Sequence, residues 1–174
     1  MTSVTLVPLE SSDREQFILD NQEAFKFGAL EEFGRRDEHF EEDGEIISRK
    51  TIEESIDQGA AYRIQENGRN VGGLVLKINE ETRHNELDLI FVSPSAHSKG
   101  IGQAAWQAVE RLYQDTEVWE TCTPYFEKRN IHFYVNRCGF HIVEFFNEKH
   151  PDPVFSGEDS FDGMFRFEKV MRKQ

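Results

Sequence analysis

The sequence predicts an α/β fold: one domain over residues 1–174, with a mixed, strongly twisted central sheet flanked by helices. Three observations lead there. In Glu86 to Val92, Leu87, Leu89 and Phe91 alternate with Glu86, Asp88 and Ile90, the period of a strand. The loop His97-Ser98-Lys99-Gly100-Ile101-Gly102 then opens a helix, because Ile101, Ala105, Ala108 and Leu112 recur at helical spacing. A further strand, Glu117 to Thr123, follows that helix, and a strand–helix–strand crossover makes its two strands parallel neighbours when they share a sheet.

Taken in order, Val4 to Val7 reads as a first strand, stopped by Pro8. Ser12 and Glu15 have the spacing of a capping box, which opens a helix to about Gln22 with a short apolar face. Residues 31–45 are strongly acidic, with Phe33 and Phe40 interleaved. Thr51 and Glu54 form a second capping box for a short helix to Gln58, with Gly59 at its C-terminal stop. Ala60 to Glu66 alternates as a strand. Asn67-Gly68 is a hairpin turn, because a type I′ turn needs positive φ at both central residues. The chain returns as a strand over Asn70 to Asn79, where Gly72-Gly73 marks a bulge. With the strand at Glu86, this makes a three-strand antiparallel meander ahead of the glycine loop.

Ser93-Pro94-Ser95 ends the meander, since proline supplies no ladder donor. The helix after the loop runs to about Gln114, and Pro124 stops the strand that follows it. Asn130 to Cys138 is the next helix, with Ile131, Tyr134, Val135 and Cys138 on one face and Gly139 at its stop. Phe140 to Phe146 is a strand, residues 147–160 a long loop, and Phe161 to Val170 a last strand antiparallel to 140–146.

Composition narrows the function. The net charge is -13 and the sequence pI about 4.9, which argues against nucleic acid or an anionic membrane as partner and suits cationic small molecules or basic peptides. No apolar run approaches the ~20 residues that cross a membrane, and no basic segment precedes an apolar one at the N-terminus. The chain therefore reads as a soluble cytoplasmic protein. Cys122 and Cys138 share no C-x-x-C and read as buried free thiols. The six histidines are scattered, so no metal site is expected.

The glycine loop carries the chemistry. Glycines let the backbone approach a ligand closely, and a helix start presents amides without internal partners together with a partial positive charge. That combination suits a phosphate. A dinucleotide fingerprint is excluded because Ala105 stands where a third glycine would, and no Gly-Lys-Ser/Thr completes a Walker motif.

Val92-Ser93-Pro94 followed by His97-Ser98-Lys99-Gly100-Ile101-Gly102 resembles the acyl-CoA motif of the GNAT superfamily of N-acyltransferases, Arg/Gln-x-x-Gly-x-Gly/Ala after a strand ending in Val-x-Pro. Asn130-Ile-His-Phe-Tyr-Val-Asn-Arg-Cys-Gly-Phe140 resembles the family's second signature, a helix with Phe-Tyr that ends in Gly-Phe. The chain departs twice. His97 stands where Arg or Gln is usual, and Tyr134 lies one residue further from Gly139 than in the commonest form.

The resemblance implies acetyl transfer from acetyl-CoA to a primary amine by direct attack in a ternary complex, with no metal. It implies pyrophosphate on the amides of Lys99, Gly100, Ile101, Gly102 and Gln103, and pantetheine along Phe91 and Val92, paired like an extra strand. Asn130 is then a cofactor contact, or otherwise a helix cap. Tyr134 is the candidate general acid, since a phenol can protonate a leaving thiolate, or otherwise a core tyrosine. Glu86, fourteen residues before Gly100, is the candidate base, with Asp88 its rival on the same strand face. The acidic stretch 31–45 borders the acceptor groove in this family, where it would attract cations; otherwise it is a solvated face. The alternative class is a non-catalytic acyl-CoA-binding or protein-interaction module. The Phe-rich strands could also pair across a homodimer.

Overall fold

The computed structural model describes residues 2–33, 45–97, 99–153 and 163–172. Most of the acidic stretch, at 34–44, Ser98 of the glycine loop and the end of the 147–160 loop lie outside them. The fold is mixed α/β. The chain divides into two compact units, Met1–Ile78 with Leu87–Gln114, and Asn79–Glu86 with Asp115–Gln174.

In the first unit, β1 (Thr5–Pro8), β2 (Ala60–Glu66) and β3 (Arg69–Lys77) form an antiparallel meander that passes to β4 (His84–Val92). Asn67 and Gly68 have φ of 52° and 77°, so the hairpin turn forms as its sequence requires. The predicted bulge is present one residue early: Ile64 faces Gly72 and Gln65 faces Asn70, which leaves Val71 as the extra residue. β4 buries Leu87, Leu89 and Phe91 in strict alternation.

α1 corrects the sequence expectation. Ser11–Asp13 is a single 3₁₀ turn in place of the capping box, and α1 itself runs over Arg14–Phe33, well past Gln22. Its buried stripe passes through Phe17, Ile18 and then Asn21, which is fully buried. One amide in that stripe makes the apolar period look broken in the sequence. α2 (Arg49–Gln58) is capped by Ser48, whose side chain accepts from the Thr51 amide, so Thr51 is not the cap. Gly59 is extended there, with φ -125°, rather than left-handed. Phe17, Ile18, Ile47, Ile52, Val75, Leu89 and Phe91 form this unit's core, with the Phe17 and Phe91 rings edge to face at 5.1 Å.

The glycines of β3 have a packing reason. A Cβ on Gly72 would stand 2.3 Å from the Phe91 carbonyl oxygen, and one on Gly73 would meet the Phe17 and Phe91 rings. Backbone cannot yield as a flexible side chain does. Gly72→Ala should therefore lose about 3 kcal/mol, the upper end of overpacking costs, as read from its urea midpoint. A midpoint equal to wild type would refute that account.

In the second unit, β4 pairs with β5 (Val118–Pro124) in parallel, from His84↔Val118 to Glu86↔Glu120, as the crossover predicts. β7 (Met164–Val170) lies antiparallel between β5 and β6 (His141–Phe146). Trp119, Thr121, Thr123, Tyr134, Cys138, Phe140, Phe146 and Phe167 are among this unit's buried residues.

Candidate active site

The glycine loop belongs to the first unit. β4 ends at Val92, and the Ser93 amide is held by the Val71 carbonyl at 2.8 Å. A 3₁₀ turn, Pro94–Ala96, follows. Gly100 then takes φ 76°, a left-handed conformation that side chains other than glycine rarely adopt, and α3 begins at Ile101. The first bond of α3 runs from the Ala104 amide to the Gly100 carbonyl at 3.0 Å. The amides of Ile101, Gly102 and Gln103 lie ahead of that bond, at the positive end of the helix dipole.

Among the described residues, the loop is held at both ends. Ile101 is buried, the Lys99 carbonyl accepts from the Thr2 hydroxyl at 2.6 Å, and the His97 ring lies edge-on to Phe27 at 5.8 Å. His97, where the related motif carries Arg or Gln, is thus packed against an aromatic ring of α1. α3 runs over Ile101–Leu112 and buries Ile101, Ala105, Trp106 and Val109. Leu112, expected on the apolar face, is 53% exposed, because the stripe follows Trp106 and Val109 instead.

Asp88 is also in this unit, and its carboxylate is engaged. Ser55 donates to it at 2.5 Å, and the Lys77 ammonium stands at 3.7 Å.

Glu86, Asn130 and Tyr134 belong to the second unit. Glu86 is half-buried and in register with Glu120 of β5. Like charges directly opposed are unfavourable, and Arg166 answers for Glu120. Its guanidinium lies 2.6 Å from Glu120, 2.7 Å from Glu168 and 2.7 Å from Glu144. Burial works against that cation, but the hydrogen bonds it donates to Glu168, Glu144 and Glu120 outweigh it and raise the Arg166 pKa. The sequence gives no signal for this cluster, since its members come from three separate strands.

Cys122 lies beside these carboxylates. Burial, and then the negative charges of Glu86, Glu120 and Asp152, push its thiol up to about 12. It stays a thiol at neutral pH, which is the opposite of an activated nucleophile. Neither Cys122 nor Cys138 is in a disulfide; Cys138 is buried as expected, whereas Cys122 is half-buried.

The predicted helix from Asn130 to Cys138 is built differently. α4 covers Lys128–His132 and passes directly into a π turn, Phe133–Arg137. The Cys138 amide reaches back five residues to the Phe133 carbonyl at 3.0 Å. A π turn holds one residue more than an α turn. That accounts for the extra residue between Tyr134 and Gly139, which has φ 86° and ends the helix as predicted. Asn130 is not the cap, a position taken by Glu127. Its amide donates to the Thr123 hydroxyl at 3.2 Å and ties α4 to β5.

Tyr134 is 7% exposed. Its ring sits against Phe133, Phe140 and Phe167, with centroids at 5.6, 5.9 and 5.4 Å. Burial raises the phenol pKa above its usual value, while a hydrogen bond with Thr121 acts in the opposite direction. A proton donor must be protonated to work, and a raised pKa keeps this phenol protonated beyond pH ~10. No group of three or more His, Cys, Asp or Glu side chains is arranged to hold a metal among the described residues.

Residues 18–140 match the model of the acetyltransferase (GNAT) family. The chain is 49% identical to the uncharacterized protein YrkN of Bacillus subtilis, over 98% of this chain and 95% of that one. Its fold is similar to the paia N-acetyltransferase of Thermoplasma acidophilum in complex with coenzyme A (TM-score 0.67, 18% identity, 97% of this chain and 99% of that one). It is also similar to the spermidine/spermine N-acetyltransferase SpeG of Vibrio cholerae (TM-score 0.63, 16% identity, 97% and 92%).

Proposed function

This chain belongs to the GNAT acetyltransferase family, and on that premise we propose that it transfers the acetyl group of acetyl-CoA to a primary amine of a cationic small molecule or peptide, by direct attack in a ternary complex. The observation that carries the proposal is the start of α3. A left-handed glycine there sets the Ile101 and Gly102 amides at the positive end of the helix dipole, the chemistry a pyrophosphate needs.

Lys99, Gly100, Ile101, Gly102 and Gln103 are assigned to the pyrophosphate, Phe91 and Val92 to the pantetheine arm, and Asn130 to a further cofactor contact. Glu86 is assigned to take the proton of the attacking amine. Asp88, whose carboxylate meets Ser55 and Lys77, is the rival for that role. The amine nitrogen bonds to the thioester carbon, the carbon–sulfur bond breaks, and Tyr134 gives its proton to the leaving thiolate. The high pKa of Cys122 supports direct attack over an acyl-cysteine route. A cationic acceptor suits the net charge of -13, and a structural neighbour is named for spermidine and spermine.

The test is release of CoA from acetyl-CoA across an amine panel, with calorimetry for CoA binding. Binding without release with any amine would favour a non-catalytic acyl-CoA-binding module. Tyr134→Phe should lower kcat by about 10²-fold and leave the KM for acetyl-CoA nearly unchanged, because proton donation matters only in the transition state. Wild-type turnover in that variant would return Tyr134 to the core.

A further inference from the structure

We infer that Thr2 is a positioning residue for the pyrophosphate loop: by holding the Lys99 carbonyl it fixes the direction of the Gly100 amide. This rests on the assignment of the start of α3 to the pyrophosphate of CoA.

Gly100 is left-handed, with φ 76°, and Ile101 after it is helical. A left-handed residue followed by a right-handed one turns the N–H groups of Gly100, Ile101 and Gly102 toward one concavity, which favours an anion. Glycine does not hold that conformation by itself. It populates both signs of φ about equally, so contacts to the two peptide planes that flank its Cα must select one. On the α3 side, the Gly100 carbonyl accepts from the Ala104 amide at 3.0 Å, which sets the Gly100–Ile101 plane. On the loop side, the Thr2 hydroxyl donates to the Lys99 carbonyl at 2.6 Å. Thr2 also stands beside Gly100 itself, since a Cβ built there would lie 3.7 Å from the Thr2 Oγ1.

A trans peptide is planar, with its carbonyl and its N–H pointing in opposite directions. Holding the Lys99 oxygen on the Thr2 side therefore holds the Gly100 N–H on the other side. Were the plane to turn over, the carbonyl oxygen would face the concavity, and its partial negative charge would repel a phosphate. Thr2 has a firm base for this role. Three residues on, Thr5 opens β1, in register with Gln65 of β2. No local pattern in the sequence signals the contact, because its partners lie 97 positions apart.

The experiment compares two ligands on the full chain. Thr2→Val keeps the branched shape and removes the donor. It should weaken CoA binding about 3- to 10-fold by calorimetry, the worth of one hydrogen bond. Binding of pantetheine, which has the thiol arm and no pyrophosphate, should stay within about 2-fold by NMR titration. Thr2→Ser should bind CoA like wild type. With acetyl-CoA and the fastest amine of the panel, Thr2→Val should raise the KM for acetyl-CoA and leave kcat within about 2-fold, because the contact serves ground state and transition state alike. A merely structural role would weaken CoA and pantetheine equally. That result, or unchanged CoA affinity in Thr2→Val, overturns the proposal.

A second arm needs no ligand. In labelled protein, Thr2→Val should shift the resonance of the Lys99 carbonyl carbon, and an unmoved resonance overturns the proposal as well. Wild-type protein that fails to bind CoA is a different outcome. It removes the pyrophosphate assignment itself, whereas equal CoA binding by wild type and Thr2→Val removes only the role of Thr2.

Discussion

Gly102→Asp should lose CoA binding by at least about 100-fold while remaining folded. The substitution puts a carboxylate on the first turn of α3, two residues past the left-handed Gly100, among the amides assigned to the pyrophosphate. Two unit charges ~4 Å apart repel by ~4 kcal/mol at an effective dielectric typical of a protein surface, which exceeds the ~2.7 kcal/mol that 100-fold represents. Side-chain bulk adds to this where the backbone must approach its ligand closely. Calorimetry with CoA reads the effect, and circular dichroism reports the fold. A folded variant that binds CoA like wild type would remove the cofactor assignment and the proposal built on it.

Glu86→Gln should give a comparable loss in kcat near neutral pH. A primary amine is protonated there and cannot attack until it gives up a proton. The carboxylate can take that proton, whereas the amide keeps the shape without the basicity. Raising the pH supplies free amine, so the deficit should narrow on the alkaline side. Wild type should show an acidic limb, since protonation of Glu86 silences it, and the variant should lose that limb. On the assignment of Glu86 as base, Asp88→Asn should have the smaller effect. An unchanged profile in Glu86→Gln, or a larger loss in Asp88→Asn, would reverse the choice of base.

What the sequence disclosed depended on how local each signal is. The Asn67-Gly68 turn, the alternation of β4 and the Gly139 stop are each written within a few residues, and each is present. The parallel pairing of β4 with β5 follows from chain order and handedness, and it too is present. Signals that depend on tertiary packing were not legible. Asn21 interrupts the apolar stripe of α1, and nothing local says that an amide is buried there. Ser48 displaced Thr51 as the cap of α2 because caps compete over a few residues and local spacing does not choose among them.

The site shows the same division. The passage from β4 to α3 could be read because the apolar period switches there from strand to helix. The environment of Tyr134 could not, since Thr121, Phe167 and Phe140 reach it from other strands or from beyond the helix stop. The π turn lies between these cases. One residue too many between Tyr134 and Gly139 is visible in the sequence, but only the backbone bond from Cys138 to Phe133 shows how it is absorbed. The cluster of Arg166 with Glu120, Glu144 and Glu168 left no trace in the sequence pattern, and it determines the charge beside the candidate base.

Acetyl-CoA with an isotopically labelled acetyl group tests the central claim most directly. Incubated with the protein and the amine panel, it should yield label in an N-acetyl amine, identified by mass spectrometry, with CoA released in equal amount. Label found only in free acetate, or retained wholly in acetyl-CoA with every amine, would contradict acetyl transfer to an amine.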